Sequence, residues 1–220
     1  MLSRTPIRFF LLGLLTLAAQ AWQPQRAVKD TRPPLVCFGD SLTAGFGLDP
    51  GRSYPDLLQR ELDRKGYRYH VVNMGVSGDT TQDGLARLPM VLAEHPQIVV
   101  LEFGANDGLR GQPVSVAEQN QARMIEALQK AGAHVVLAGI TLPPNYGPEY
   151  LNRFNAMYPD LAKRYRLPLI PFLLADVAAK PNLMQRDGLH PTAAGVDRMV
   201  AGILPKAEEL MMRLRDQKRG

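Results

Sequence analysis

Leu35-Val36-Cys37-Phe38 runs straight into Gly39-Asp40-Ser41-Leu42. Four apolar residues closed by a glycine fit a short strand buried on both faces, and such strands belong to parallel sheets covered by helices. Four more apolar runs follow, at His70 to Asn73, Ile98 to Phe103, His134 to Ile140 and Pro168 to Pro171. Longer amphipathic stretches separate them: Tyr54 to Lys65, Thr81 to Glu94, Val114 to Ala131 and Glu149 to Arg166, with a last one from Thr192 to about Arg215. Ser53 is placed to cap the first of these helices, Gly66 to end it, and Gly132 follows the third. The alternation predicts an α/β chain of doubly wound type: a three-layer α/β/α sandwich around a parallel, mainly five-stranded sheet of flavodoxin-like design.

In an open parallel sheet, ligands sit beyond the carboxyl ends of the strands. The polar clusters of this chain fall there. Gly39-Asp40-Ser41 follows the first strand, Gly75 to Asp79 the second, and Gly104-Ala105-Asn106-Asp107 the third, while Asp187-Gly188-Leu189-His190 precedes the last helix. A neutral serine hydroxyl is a poor nucleophile; it needs a base to take its proton and a carboxylate to hold that base in the right tautomer. His190 and Asp187 can supply both to Ser41, because their spacing lets the carboxylate fold back onto imidazole Nδ1 and leaves Nε2 free. Attack on a carbonyl builds a tetrahedral oxyanion that wants preorganised donors. The candidates are the backbone N–H groups of Ser41 and Gly78 and the side-chain amide of Asn106. Gly75 competes for the glycine position, but the register of Ser77-Gly78-Asp79-Thr80 favours Gly78. The serine is not set in Gly-x-Ser-x-Gly, which argues against the nucleophile elbow of α/β-hydrolases.

Each residue also has a plain structural reading. Ser41 could cap a helix, Asp187 and His190 could form a surface turn, and Asn106 could close a loop. A metal site of Asp40, Asp107, Asp187 and His190 is a rival chemistry, but it lacks a familiar ligand spacing and leaves Ser41 without a task. No metal is expected. Asp40 and Asp107 are expected to brace their loops and Asp79 to bond locally, while His70, His95 and His134 lie away from the strand-end rim. Convergence of separate clusters on one rim favours catalysis over four independent coincidences.

The four blocks Gly39-Asp40-Ser41-Leu42, Ser77-Gly78-Asp79-Thr80, Gly104-Ala105-Asn106-Asp107 and Asp187-Gly188-Leu189-His190, in that order, resemble the SGNH hydrolases, also called GDSL esterases and lipases. The likeness runs through the chain after its leader. The longer runs Gly104 to Gly111 and Leu142-Pro143-Pro144-Asn145-Tyr146-Gly147 are similar to those of the family's exported bacterial acyl hydrolases and arylesterases. The resemblance implies hydrolysis of fatty acyl thioesters, simple esters or lysophospholipids, without a cofactor, by Ser41, Asp187 and His190. Ala105 departs from the glycine common in near relatives, and its methyl would trim the floor of the site. Leu109, Leu142, Pro143 and Tyr146 are candidates for an apolar wall that takes the acyl chain. A carbohydrate O-deacetylase with a more polar pocket, and a noncatalytic lipid binder on the same fold, are the alternatives.

At 220 residues the chain can bury about 70% of its unfolded surface in one domain, here 22–220. Residues 1–21 read as an export signal: Arg4 and Arg8 precede the apolar run from Phe9 to Ala19, and Ala19-Gln20-Ala21 is a small-x-small cleavage pattern. Cleavage is expected after Ala21 rather than retention as a membrane anchor, because the run is shorter than the ~20 residues that span a bilayer; the signal together with the family resemblance implies delivery to a periplasm. Nothing later suggests a membrane span. The formal charge of +5 falls to +3 without Arg4 and Arg8, too mild for a nucleic-acid partner. Arg213, Arg215, Lys218 and Arg219 read as a frayed, solvated tail. Cys37 is the single cysteine, so no internal disulfide forms, and its apolar setting reads as a buried small hydrophobe. A monomer is expected.

Overall fold

The computed structural model describes residues 30–217. Five strands appear where the apolar runs place them: β1 (Pro34–Gly39), β2 (His70–Gly75), β3 (Ile98–Glu102), β4 (His134–Ala138) and β5 (Leu169–Ile170). All pair in parallel, in the order β2-β1-β3-β4-β5. The residues of β1, β3 and β4 that face the two helical layers are almost wholly buried, which is why they read as continuous apolar runs. Edge strand β2 is only half buried.

The helices are α1 (Ser41–Ala44), α2 (Tyr54–Arg64), α3 (Thr81–Ala93), α4 (Ala105–Leu109), α5 (Val114–Lys130), α6 (Pro148–Tyr165) and α7 (Ala193–Gln217). α2 packs against α7, while α3, α5 and α6 pack side by side, and the sheet lies between the two layers. Ser53 caps α2 by accepting from Asp56 N–H, and Asp56 reaches back to Ser53 N–H, a capping box. Thr80 and Asp83 repeat the arrangement at α3. The expected five long helices are all present. The two short ones, α1 and α4, were not legible, because four or five residues show no helical period.

Register sets the rim. Gly39 pairs with both Gly75 and Glu102, and Glu102 with Ala138, so four strands end at one level. After β2 the chain crosses over β1 to β3, which puts the reversal of strand order between β1 and β3, the place where such sheets open a crevice.

The chain from Thr31 onward forms one compact unit. The expected signal at residues 1–21 and its cleavage point lie outside the described residues. The tail corrects one expectation: α7 continues through Arg213 and Arg215 to Gln217, its Leu210 and Leu214 are buried, and Arg213 pairs with Glu209. A helix with an apolar face holds those cations in order, rather than a frayed end; Lys218 and Arg219 lie outside the described residues. No described helix is long and apolar enough to cross a membrane.

Candidate active site

Ser41 opens α1 immediately after β1. Asp40 caps that turn, its Oδ1 accepting from Leu42 N–H at 3.0 Å. As the first residue of a helix, Ser41 has a backbone N–H with no intrahelical acceptor. The loop before α7 then brings the imidazole to it. His190 Nε2 lies 2.8 Å from Ser41 Oγ, and Nδ1 lies 2.7 Å from Asp187 Oδ2. The second carboxylate oxygen of Asp187 accepts from the backbone N–H groups of Leu189 and His190, at 2.9 and 3.0 Å. Partial burial acts to raise the acid's pKa, but the ring N–H and these two backbone donors outweigh it and hold the carboxyl down at about 2. Asp187 therefore stays ionised at any working pH and fixes the ring so that Nε2 is the atom offered to serine.

The residues that carry the three expected donors line one cleft. Gly78 and Asn106 line the same cleft as Ser41 and His190, and Gly75 does not. Gly75 instead packs on α1: a Cβ there would collide with the backbone of Thr43 and Ala44. Gly78 takes φ +89°, a backbone conformation that a side chain would strain. Asn106 Nδ2 donates to the carbonyl of Asp79 at 2.9 Å and to Asp40 Oδ2 at 3.2 Å. Both amide hydrogens are thus engaged within the protein, the bond to Asp40 being the longer.

Asp107 braces α4 against α3, accepting from Thr81 N–H at 2.9 Å and from Thr81 Oγ at 2.6 Å. Burial raises its pKa against those bonds. Asp40 and Asp107 are bonded apart from the Asp187–His190 pair, and among the described residues no three His, Cys, Asp or Glu side chains gather as a metal would need. Of the other histidines, His70 and His134 open β2 and β4 at the far end of the sheet, and His95 follows α3.

The cleft encloses about 550 Å³. Leu109, Leu142 and Pro143 line it, as expected. Tyr146 does not; it lines a neighbouring groove and braces the wall from behind, donating its hydroxyl to the Leu109 carbonyl at 2.9 Å. Much of the apolar wall comes from residues that sequence reasoning missed: Phe46, Ile140, Phe172, Leu174, Met184 and Leu189. Phe46 also covers the imidazole, its ring centroid 4.5 Å from that of His190. Two supports were missed as well. Gln185 donates to the carbonyls of Phe46 (2.8 Å) and Pro191 (2.9 Å), clasping the segment after α1 to the histidine loop. Arg87 of α3 donates to Asp79 Oδ2 and to the carbonyls of Met74 and Gly39, joining two strand ends to the loop that carries Gly78.

Residues 37–198 match the GDSL-like lipase/acylhydrolase family. The chain belongs to that family. This GDSL-like hydrolase is 44% identical over 188 residues to "Esterase TesA" of Pseudomonas aeruginosa, covering 85% of this chain and 92% of the relative. It is 42% identical over 189 residues to "Thioesterase 1/protease 1/lysophospholipase L1" of Escherichia coli K12, covering 86% and 85% of the two chains. A solved structure of TesA superposes with a TM-score of 0.78 at 44% identity, over 80% of this chain and 99% of that one. The hydrolase is an enzyme acting on carboxylic esters, on the α/β/α sandwich that its strand and helix order predicts.

Proposed function

We propose that the protein is a serine esterase and thioesterase that cleaves acyl esters, acyl thioesters and lysophospholipids in two steps through an acyl-enzyme. The observation that carries this reading is the unbroken contact from Ser41 Oγ to His190 Nε2 and from His190 Nδ1 to Asp187. Ser41 attacks the acyl carbonyl while His190 takes its proton, and Asp187 steadies the imidazolium that forms. The oxyanion receives the N–H groups of Ser41 and Gly78 and the amide of Asn106, which releases its longer bond to Asp40 to do so. His190 then returns its proton to the leaving alcohol or thiol. Water, deprotonated by the same base, attacks the acyl-serine and frees the acid.

The largely aliphatic and aromatic cleft favours a fatty acyl chain over an acetylated sugar. Leu109, Leu142, Pro143, Phe172 and Met184 all line it. We place the enzyme outside the cytoplasm as a monomer, after removal of residues 1–21.

Replacing Ser41 by Ala is expected to abolish ester turnover and labelling by a fluorophosphonate probe, with the melting temperature little changed. Retained turnover in Ser41→Ala would remove the nucleophile from this reading. A panel of p-nitrophenyl esters from acetyl to palmitoyl is expected to show a rise in kcat/KM with chain length up to the capacity of the cleft. A flat profile, or preference for acetylated sugars, would point to another substrate class.

A further inference from the structure

Beneath the nucleophile turn lies an acid that the two-step reaction does not use. Glu102 is the last residue of β3, between β1 and β4, and is wholly buried. Its Oε2 accepts from Thr43 Oγ at 2.9 Å and from Asp40 N–H at 3.3 Å. Its Oε1, equally buried, receives no hydrogen bond from any donor. The side chain of Asp40, also wholly buried, lies close enough to the Glu102 carboxyl for each acid to act on the other's charge.

Two ionised carboxylates so placed would leave a buried oxygen unsatisfied and set like charges together out of water, and both are costly. One proton relieves both. The partners decide where it sits. Asp40 is surrounded by groups that want an anion: Leu42 N–H and the Asn106 amide donate to it, and His190 lies near enough to favour its charge. At Glu102 the bonded hydroxyl is that of Thr43, itself linked to Tyr54; Asp40 is the neighbouring acid, and no cation among the described residues bonds to Glu102. Burial first, and then the charge of Asp40, push the Glu102 carboxyl well above its ordinary range.

We propose that Glu102 is a positioning residue which, as the neutral acid, bridges the end of β3 to the nucleophile turn and leaves Asp40 with the single negative charge that holds Ser41 and Asn106 in place. The Glu102 O–H donates to the Asp40 carboxylate. Asp40 in turn accepts from Leu42 N–H, which fixes the turn bearing Ser41, and from Asn106, which holds the amide beside the oxyanion position until substrate takes that bond over. Thr43, one turn further on, is tied to the same acid. The proposal rests on the acyl-transfer reading of Ser41, but the protonation of Glu102 can be read without turnover.

The test compares wild type with Glu102→Gln and Glu102→Leu. The infrared difference spectrum of wild type against E102Q, taken near pH 7, is expected to carry the carbonyl stretch of an un-ionised carboxylic acid; carboxylate bands alone overturn the proposal. In steady-state kinetics on p-nitrophenyl butyrate, E102L is expected to lose about 10²-fold in kcat with KM little changed, as when an oxyanion donor is misplaced. Glutamine, neutral and able to donate to Asp40 and accept from Thr43, is expected to recover at least about tenfold of that loss. E102Q as impaired as E102L while melting like wild type shows that an anion is needed, and E102L with full kcat shows that only packing matters; either result sinks the proposal. If E102L does not fold, the infrared band and the E102Q rate still decide. An active Ser41→Ala variant would remove the acyl-transfer reading and leave the band as an independent answer.

Discussion

Asn106 shows how one side chain carries both structure and chemistry. Its amide spans Asp79 O and Asp40 Oδ2, so the loop after β2 and the turn after β1 are tied together by the group proposed to meet the oxyanion. In the proposed reaction the bond to Asp79 keeps the amide at the site while the longer bond to Asp40 is exchanged for the oxyanion, so the developing charge is met after a small shift. Asn106→Ala is expected to lower kcat by about 10²- to 10³-fold with KM nearly constant, measured at saturating short-chain ester. A fall confined to KM would mean that the amide binds substrate without favouring the transition state. Four residues before Ser41, Cys37 shows the opposite fate of a nucleophile. It is buried in β1, and desolvation pushes its thiol up to about 12, so the more reactive atom type is silent while the weaker one is the proposed nucleophile.

At the scale of elements, Arg87 does what no loop could do alone. Its guanidinium carbon sits 4.8 Å from the ring centroid of Phe38 and 5.8 Å from that of Phe103, and its nitrogens reach acceptors on the ends of β1 and β2 and on the Gly78 loop. Arg87→Met keeps the apolar stem but strands those acceptors. The expected cost is about 2 kcal/mol in urea unfolding, together with a drop of about tenfold in kcat as the Gly78 loop loosens. Lysine in its place should restore little, since one ammonium cannot reach three separated acceptors. Unfolding and activity both unchanged in Arg87→Met would show that the strand ends hold without it. Such supports were hidden in the sequence for a physical reason. Arg87 reads as an ordinary solvent-facing helix residue, and Glu102 as one odd member of an apolar strand; only the packing of α3 and β3 beneath the rim gives them partners. Long periodic helices, buried strands and the blocks around Ser41, Gly78, Asn106 and His190 were legible because their signals are local. The wall built from Phe172 to Met184 was not, since that segment has almost no regular structure and shows no period that would say which side chains turn inward.

For the whole molecule, the buried acids couple chemistry to stability through protons. In the unfolded chain Asp40 and Glu102 titrate near 3.8 and 4.5; in the fold, burial raises both, Glu102 the more strongly. Above those unfolded values the native protein therefore holds more protons than the unfolded chain, and its stability falls as pH rises until the native acids ionise. Asp187 works in the other direction. Its pKa is held at about 2 against an ordinary 3.8, so its contribution is complete above about pH 4 and disappears as pH drops toward 2. The two trends place greatest stability on the acid side of neutrality. Glutamine at 102 cannot ionise, so E102Q should lack most of the downward slope. Urea unfolding of E102Q and wild type between about pH 5 and pH 8 is expected to show E102Q gaining on wild type as pH rises, with a linkage of up to about one proton per molecule. Parallel curves over that range would mean that Glu102 titrates alike in the folded and unfolded chains, and the neutral bridge under Ser41 would have to be abandoned with them.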